Sequence, residues 1–314
     1  MGRILKTAGA FALFTALVLA PGVQQAAEIS FHEAPGHVEI RIDGKPFSNF
    51  YHGSQWPQPF LHPLRTVSGI SVTRGYPVEE IEGESQDHPW HRGLWYTHGD
   101  INGVDFWRDL GPEKTGKLVL RGAVRTEGDR LSADFDLIAP DKKRVGRISQ
   151  EFRFARRGEM NIVDVRATIH SDAGPIRMGD TEEGSLGIRF ADEFREDRGA
   201  ILMNSDRLTG TDRIWGKRAK WVDYSTRLKG ETAGVLILDH PSNPKYPTFW
   251  HARGYGLNAA NPFGEHDFFG DNTRDGGITI PAGDRLTFRY RVVIHPGPAD
   301  AAASDRLAQE FGAE

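Results

Sequence analysis

Apolar and polar positions alternate with period two along much of this chain. Leu131, Ala133, Phe135 and Leu137 interleave with Ser132, Asp134 and Asp136. Val163, Val165, Ala167 and Ile169 interleave with Asp164, Arg166 and Thr168, and Leu286, Phe288, Tyr290, Val292 and Ile294 with Thr287, Arg289 and Arg291. Each run predicts an antiparallel strand with one wet face. Ala233 to Leu238 is continuously apolar and predicts a strand buried on both faces. The one helical pattern is the tail, Asp300 to Phe311, with Leu307 and Phe311 four apart. It predicts a short C-terminal helix packed on an edge. The class expected is all-β: a large antiparallel β-sandwich with that helix.

Composition agrees. Gly 36 and Pro 18 make about one residue in six, which suits many turns. A net charge of −4 lacks the basic surface that binding to nucleic acid needs. Arg3 and Lys6, an uncharged and mostly apolar run from Ala8 to Ala20, and small Ala26 and Ala27 read as a secretory signal peptide over 1–27. Its removal leaves 37 basic against 43 acidic residues and no later apolar stretch long enough to span a bilayer. The expectation is a periplasmic or secreted protein, residues 28–314 forming a single sandwich domain. With no cysteine, it has no disulfide to rely on.

Candidate chemistry clusters in three places. Five of the 12 histidines lie between His52 and His98, and four of the 7 tryptophans between Trp56 and Trp107. The densest stretch runs from Asp87 to Trp107 and holds His88, His91, Arg92, Trp95, His98 and Asp100. Rings beside carboxylates, imidazoles and a guanidinium suit a sugar, whose C–H faces stack while its hydroxyls need donors and acceptors. The bland alternative is an aromatic core corner with satisfied histidines. The second group, Gly179 to Gly184, has paired acids at Glu182 and Glu183, with Asp180 before them; a solvated turn is its alternative. The third, Trp250 to Asn261, brings His251 and Arg253 and could equally be turns and caps. His98-x-Asp100, with His251 or His266 as a third ligand, has the spacing of a facial iron triad, and His88 and His91 could also ligate. Neither a metal nor another cofactor is expected, and no nucleotide loop or nucleophile elbow is present.

Long segments carry a resemblance. DHPWHRGLWYTHGDINGVDFW (Asp87–Trp107), GDTEEGSLGIR (Gly179–Arg189), IWGKRAKWVDYS (Ile214–Ser225), DHPSNPKYPTFWHARGYGLNAANPFG (Asp239–Gly264) and RYRVVIHPG (Arg289–Gly297) resemble the secreted bacterial family of unknown function labelled "methane oxygenase PmoA". Trp90 stands where that family usually has His, and Glu182 where it usually has Lys. The namesake methane monooxygenase subunit spans a membrane several times, so the label is read as a name and not an activity. The resemblance implies a sandwich similar to galactose-mutarotase-like supersandwich proteins, in carbohydrate-utilising bacteria.

The expected function is therefore an exported enzyme acting on a sugar or glycoside by acid–base chemistry, as epimerase, hydrolase or lyase. His98, Glu183 and His251 are the expected catalytic groups. Asp87, His88, His91, Arg92, Asp100, Asp180, Arg253 and Asn261 would bind the sugar, with Trp95 and Trp107 stacking on it. A non-catalytic glycan-binding module is the rival, and a non-haem iron oxygenase the third reading. The expected partner is a sugar or glycan, with no nucleic acid.

Overall fold

The structure is a computed structural model that describes residues 1–2 and 26–314. Most of the expected signal peptide lies outside the described residues. Every strand pairing is antiparallel, in keeping with the expected all-β class. One sheet has eight strands, in the order Ile29–Ala34, His37–Ile42, Lys45–Tyr51, Phe60–His62, Leu94–His98, Gly184–Arg189, Leu257–Asn261, Phe249–Arg253. The other has nine. Its main order is Ile201–Asn204, Trp221–Leu228, Glu231–Asp239, Arg285–Pro296, Met160–His170, Arg144–Arg157, Arg130–Ile138, Lys117–Leu120, and Arg125–Glu127 also pairs with Arg130–Ile138. Ile176–Met178 and Ile278–Ile280 form a two-stranded ribbon.

The two large sheets pack face to face. Phe50 meets Phe135 at 6.4 Å between ring centroids, and Tyr96 meets Phe288 at 6.0 Å. Gln150 of the nine-stranded sheet donates from Nε2 to the Tyr96 carbonyl at 3.0 Å, tying the layers through a buried bond. The period-two reading holds. Leu131, Ala133, Phe135 and Leu137 are all buried, while Ser132, Asp134 and Asp136 reach solvent. Ala233 to Leu238 is buried on both faces, as expected.

The C-terminal helix, Ala301–Gly312, differs from expectation in its placement. It covers the outer face of the nine-stranded sheet rather than an edge. Leu307 and Phe311 pack on Trp221, Leu236, Leu238 and Val293 from three adjacent strands. Leu236 and Leu238 point away from the main core and need this cover. The tail is not the only helical segment either. Thr211–Ile214 and Glu265–Phe269 are single turns, too short to show an amphipathic period. Among the described residues no helix is long and apolar enough to cross a membrane.

Candidate functional site

Register sorts the candidate residues onto faces. In strand Leu94–His98, Leu94 and Tyr96 join the main core while Trp95 joins a separate cluster with Trp107, Leu257 and Ala259. Trp95 pairs across with Gly187, Gly187 with Ala259, and Ala259 with His251. Arg189, Leu257 and Arg253 form the next such row. Trp95, Arg189, His251 and Arg253 therefore share the outer face of the eight-stranded sheet. Gly187 is required here, because a Cβ would lie 2.7 Å from both Trp95 and Trp107.

Above this face runs a ladder of near-parallel rings. Tyr255 stacks on His88 at 5.3 Å and 7°, His88 on His91 at 4.8 Å and 2°, and His91 on Trp95 at 5.3 Å and 21°. Asp87 anchors it. Its carboxylate takes bonds from His88 Nδ1 at 2.6 Å, Arg74 at 3.2 Å and Arg189 at 2.9 Å. Partial burial opposes its ionisation. The hydrogen bonds from His88 and Arg189, with the charges of Arg189 and Arg74, outweigh that and hold it well below the usual carboxylate range. Burial, then the Arg189 charge, pushes His91 well down, so its ring is neutral. Arg189 Nη1 donates to His91 Nδ1 at 3.4 Å, which leaves the proton on Nε2. That Nε2–H is buried with no acceptor, and so are the indole N–H groups of Trp90, Trp95 and Trp107. These donors lie within the ring cluster and are sealed from solvent.

The acidic turn meets the far end of the same face. Glu182 Oε2 lies 3.2 Å from His251 Nδ1, and the neighbouring imidazole draws its carboxyl down. Burial pushes Glu183 up, aided by Glu182 and Asp105 and opposed by His251 and Arg108. Gly99 lets the turn approach, since a Cβ there would meet that of Glu183 at 2.7 Å. Asn261 and Asp180 fix the turn from behind. Asn261 donates to the Thr181 carbonyl at 2.8 Å, and Asp180 accepts from His266 N at 3.2 Å and from Gly276 N.

The structure thus brings Asp87, His88, His91, Trp95, Trp107, Glu183, His251 and Arg253 to one sheet face. It separates others from them. His98 is fully buried on the inner face, its ring 4.5 Å from Phe263 and its Nε2 donating to the Gly179 carbonyl at 2.9 Å. It stands on the wrong side of its strand to act with Glu183 and His251. Trp95 and Trp107 are 2% and 0% exposed, so they floor the site instead of offering a stacking face. Arg92 is engaged with Asp109 and with Gln58, and Asp100 caps its own turn through Gly103 N. Asn261 and Asp180 serve the turn rather than an open surface. Sequence reasoning missed Arg189, Arg74 and Tyr255, which build the ladder, and Glu182, which holds His251. Arg189 lay in a quoted segment, and its apolar neighbours Leu186, Ile188 and Phe190 were the available signal: a charge in a buried strand needs a partner.

Among the described residues no group of three or more His, Asp or Glu is disposed to hold a metal ion. A cavity of about 520 Å³ opens elsewhere, on the outer face of the nine-stranded sheet. Its carboxylates Glu151, Asp164 and Glu314 are each paired with an arginine. That pairing leaves no free acid or base there, so chemistry favours the other sheet.

No curated protein matches this chain. Solved structures with some likeness include the Slr1438 protein from Synechocystis sp. PCC 6803, at 12% identity over 90% of this chain and 100% of that one, with a TM-score of 0.32. A GalM/aldose epimerase homologue from C. elegans has 8% identity over 88% and 100%, TM-score 0.35. A galactose mutarotase related enzyme from Lactobacillus acidophilus has 10% over 87% and 99%, TM-score 0.32. Likeness at this level carries no argument, and the architecture rests on the sheets described above. The family model that matches covers residues 37–309, and the chain belongs to that family, the family of unknown function DUF6807.

Proposed function

We propose that the outer face of the eight-stranded sheet binds a sugar or glycoside and moves protons on it, in an exported enzyme of epimerase, hydrolase or lyase type. One observation carries this reading: Glu182 lies 3.2 Å from His251 Nδ1 on the outer face, with Glu183, pushed up by burial, next to it in the same turn. A carboxyl raised by burial is a stronger base than a free one, and a carboxylate beside an imidazole favours the imidazolium that can act as acid. In the opening of a hemiacetal, Glu183 takes the proton of the anomeric hydroxyl. His251, steadied by Glu182, gives one to the ring oxygen as the C1–O5 bond breaks and the carbonyl forms. Closure returns both protons. Trp90, partly exposed, offers a ring face.

The test is turnover on a panel of aldoses, uronates and aryl glycosides, read by anomer exchange in NMR and by release of the aryl group. Glu183→Gln keeps the shape but accepts no proton, so kcat/KM should fall roughly 10²–10⁴-fold with affinity nearly unchanged. The partly exposed Trp90 ring also fits a second reading, a glycan-binding module. Wild-type protein that binds glycan without turning over any panel member, and a Glu183→Gln variant that binds as well, would establish it. One equivalent of tightly held iron in purified protein would favour the oxygenase reading attached to the "methane oxygenase" label.

A further inference from the structure

Five arginines border the candidate site, and four of them have a carboxylate. Arg74 and Arg189 share Asp87 at 3.2 and 2.8 Å, Arg92 holds Asp109 at 2.5 Å, and Arg108 holds Asp105 at 2.6 Å. Arg253 is the exception. Among the described residues no carboxylate lies within 4.0 Å of its guanidinium. Glu182 feels its charge but keeps its contact with His251. Rings hold Arg253 instead, with its guanidinium carbon 5.6 Å from the centroid of Trp215 and 6.0 Å from that of Tyr255. A partly exposed guanidinium steadied on two rings keeps its planar fork free for an oxyanion, and a carboxylate fits that fork bidentately.

Strand geometry adds a distance. His251 and Arg253 are two residues apart on one face, about 7 Å along the strand. A pyranose whose ring oxygen takes the proton of His251 has C5 one bond away and C6 two bonds away. A carboxylate at C6 then comes within reach of the long Arg253 side chain.

We infer that the sugar is a uronic acid, free or in a glycan, with its carboxylate held by Arg253. This rests on the sugar reading above and sharpens it. The experiment is calorimetric titration of purified protein with D-galacturonate, D-glucuronate, D-galactose and D-galactose 6-sulfate. One of the uronates should bind at least tenfold tighter than galactose, and 0.5 M NaCl should weaken uronate binding more than galactose binding. Arg253→Gln should lower uronate affinity roughly 10- to 100-fold, the span of a charge-assisted bond, with Arg253→Lys in between. If the Gln variant does not fold, the Lys variant and the salt dependence carry the test. Galactose bound as tightly as the uronates, or uronate affinity untouched by these substitutions, overturns the carboxylate assignment and leaves the sugar reading standing. So does 6-sulfate bound tighter than either uronate. Failure of all four sugars to bind overturns both.

Discussion

His98 is sealed between the sheets, and burial pushes its imidazole down to about 4. In an unfolded chain the same ring titrates near 6.5. As pH falls from 6.5 toward 4, the unfolded state takes up a proton that the native state refuses, so stability is lost on acidification. The full span is worth on the order of 3 kcal/mol. Asp239, also buried, is raised to about 7 and acts in the opposite sense, because the native state keeps a proton that the unfolded chain releases. The two offset in a simple pH profile, and only a difference isolates the histidine. Urea melts of wild type and His98→Gln should show the wild-type stability, relative to the variant, rising from pH 4 to pH 6.5. A difference independent of pH would mean that the ring is reached by water.

Strands differ in how much of themselves they show in sequence. Arg130–Ile138 has one wet face, and its alternation gives both its existence and its orientation. Leu94–His98 is buried throughout, so no alternation says which residues face which layer. That is why His98 and Trp95 could be recognised as members of a cluster but not assigned to opposite faces. The acidic turn was legible as a pair of carboxyls. Which of them would be free depended on His251, some seventy residues later in the chain. The C-terminal helix was legible from Leu307 and Phe311, and its seat was not, because that depends on which strands are neighbours. Phe311 is 2% exposed against strand side chains, so Phe311→Ala should lower stability by about 3 kcal/mol. Asp300 caps the helix through Ala302 N and Ala303 N at 2.9 and 3.0 Å, and Asp300→Ala should cost only about 1 kcal/mol. A larger loss at Asp300 than at Phe311 in urea melts would mean that the cap, not the packing, holds the helix.

Across the whole molecule, charge is used in two ways. On the outer face of the nine-stranded sheet, arginines and aspartates form a solvent-reaching lattice, some members partly buried: Arg121 and Arg144 with Asp136, Arg125 and Arg147 with Asp134, Arg153 with Asp129. Such pairs contribute about 0–1 kcal/mol each and fade in salt. On the eight-stranded sheet, Arg74 and Arg189 are both fully buried and share one counter-charge, Asp87. Removing that charge leaves two guanidinium groups facing each other in a dry place, which is far harder to relieve than the loss of a surface pair. The Asp87 carboxylate is 37% exposed, so water offsets part of the penalty. Asp87→Asn should therefore cost about 2–3 kcal/mol, below the full range for buried pairs. It should also loosen the His88 and Tyr255 stack that rests on the same carboxylate. By contrast, Asp129→Asn should change stability by less than about 1 kcal/mol. Urea melts at 0.05 and 0.5 M NaCl separate the two cases. The Asp87→Asn loss should persist at high salt while any Asp129→Asn loss shrinks, and equal, salt-sensitive losses at both positions would show that the Arg74–Asp87–Arg189 group is as wet as the lattice.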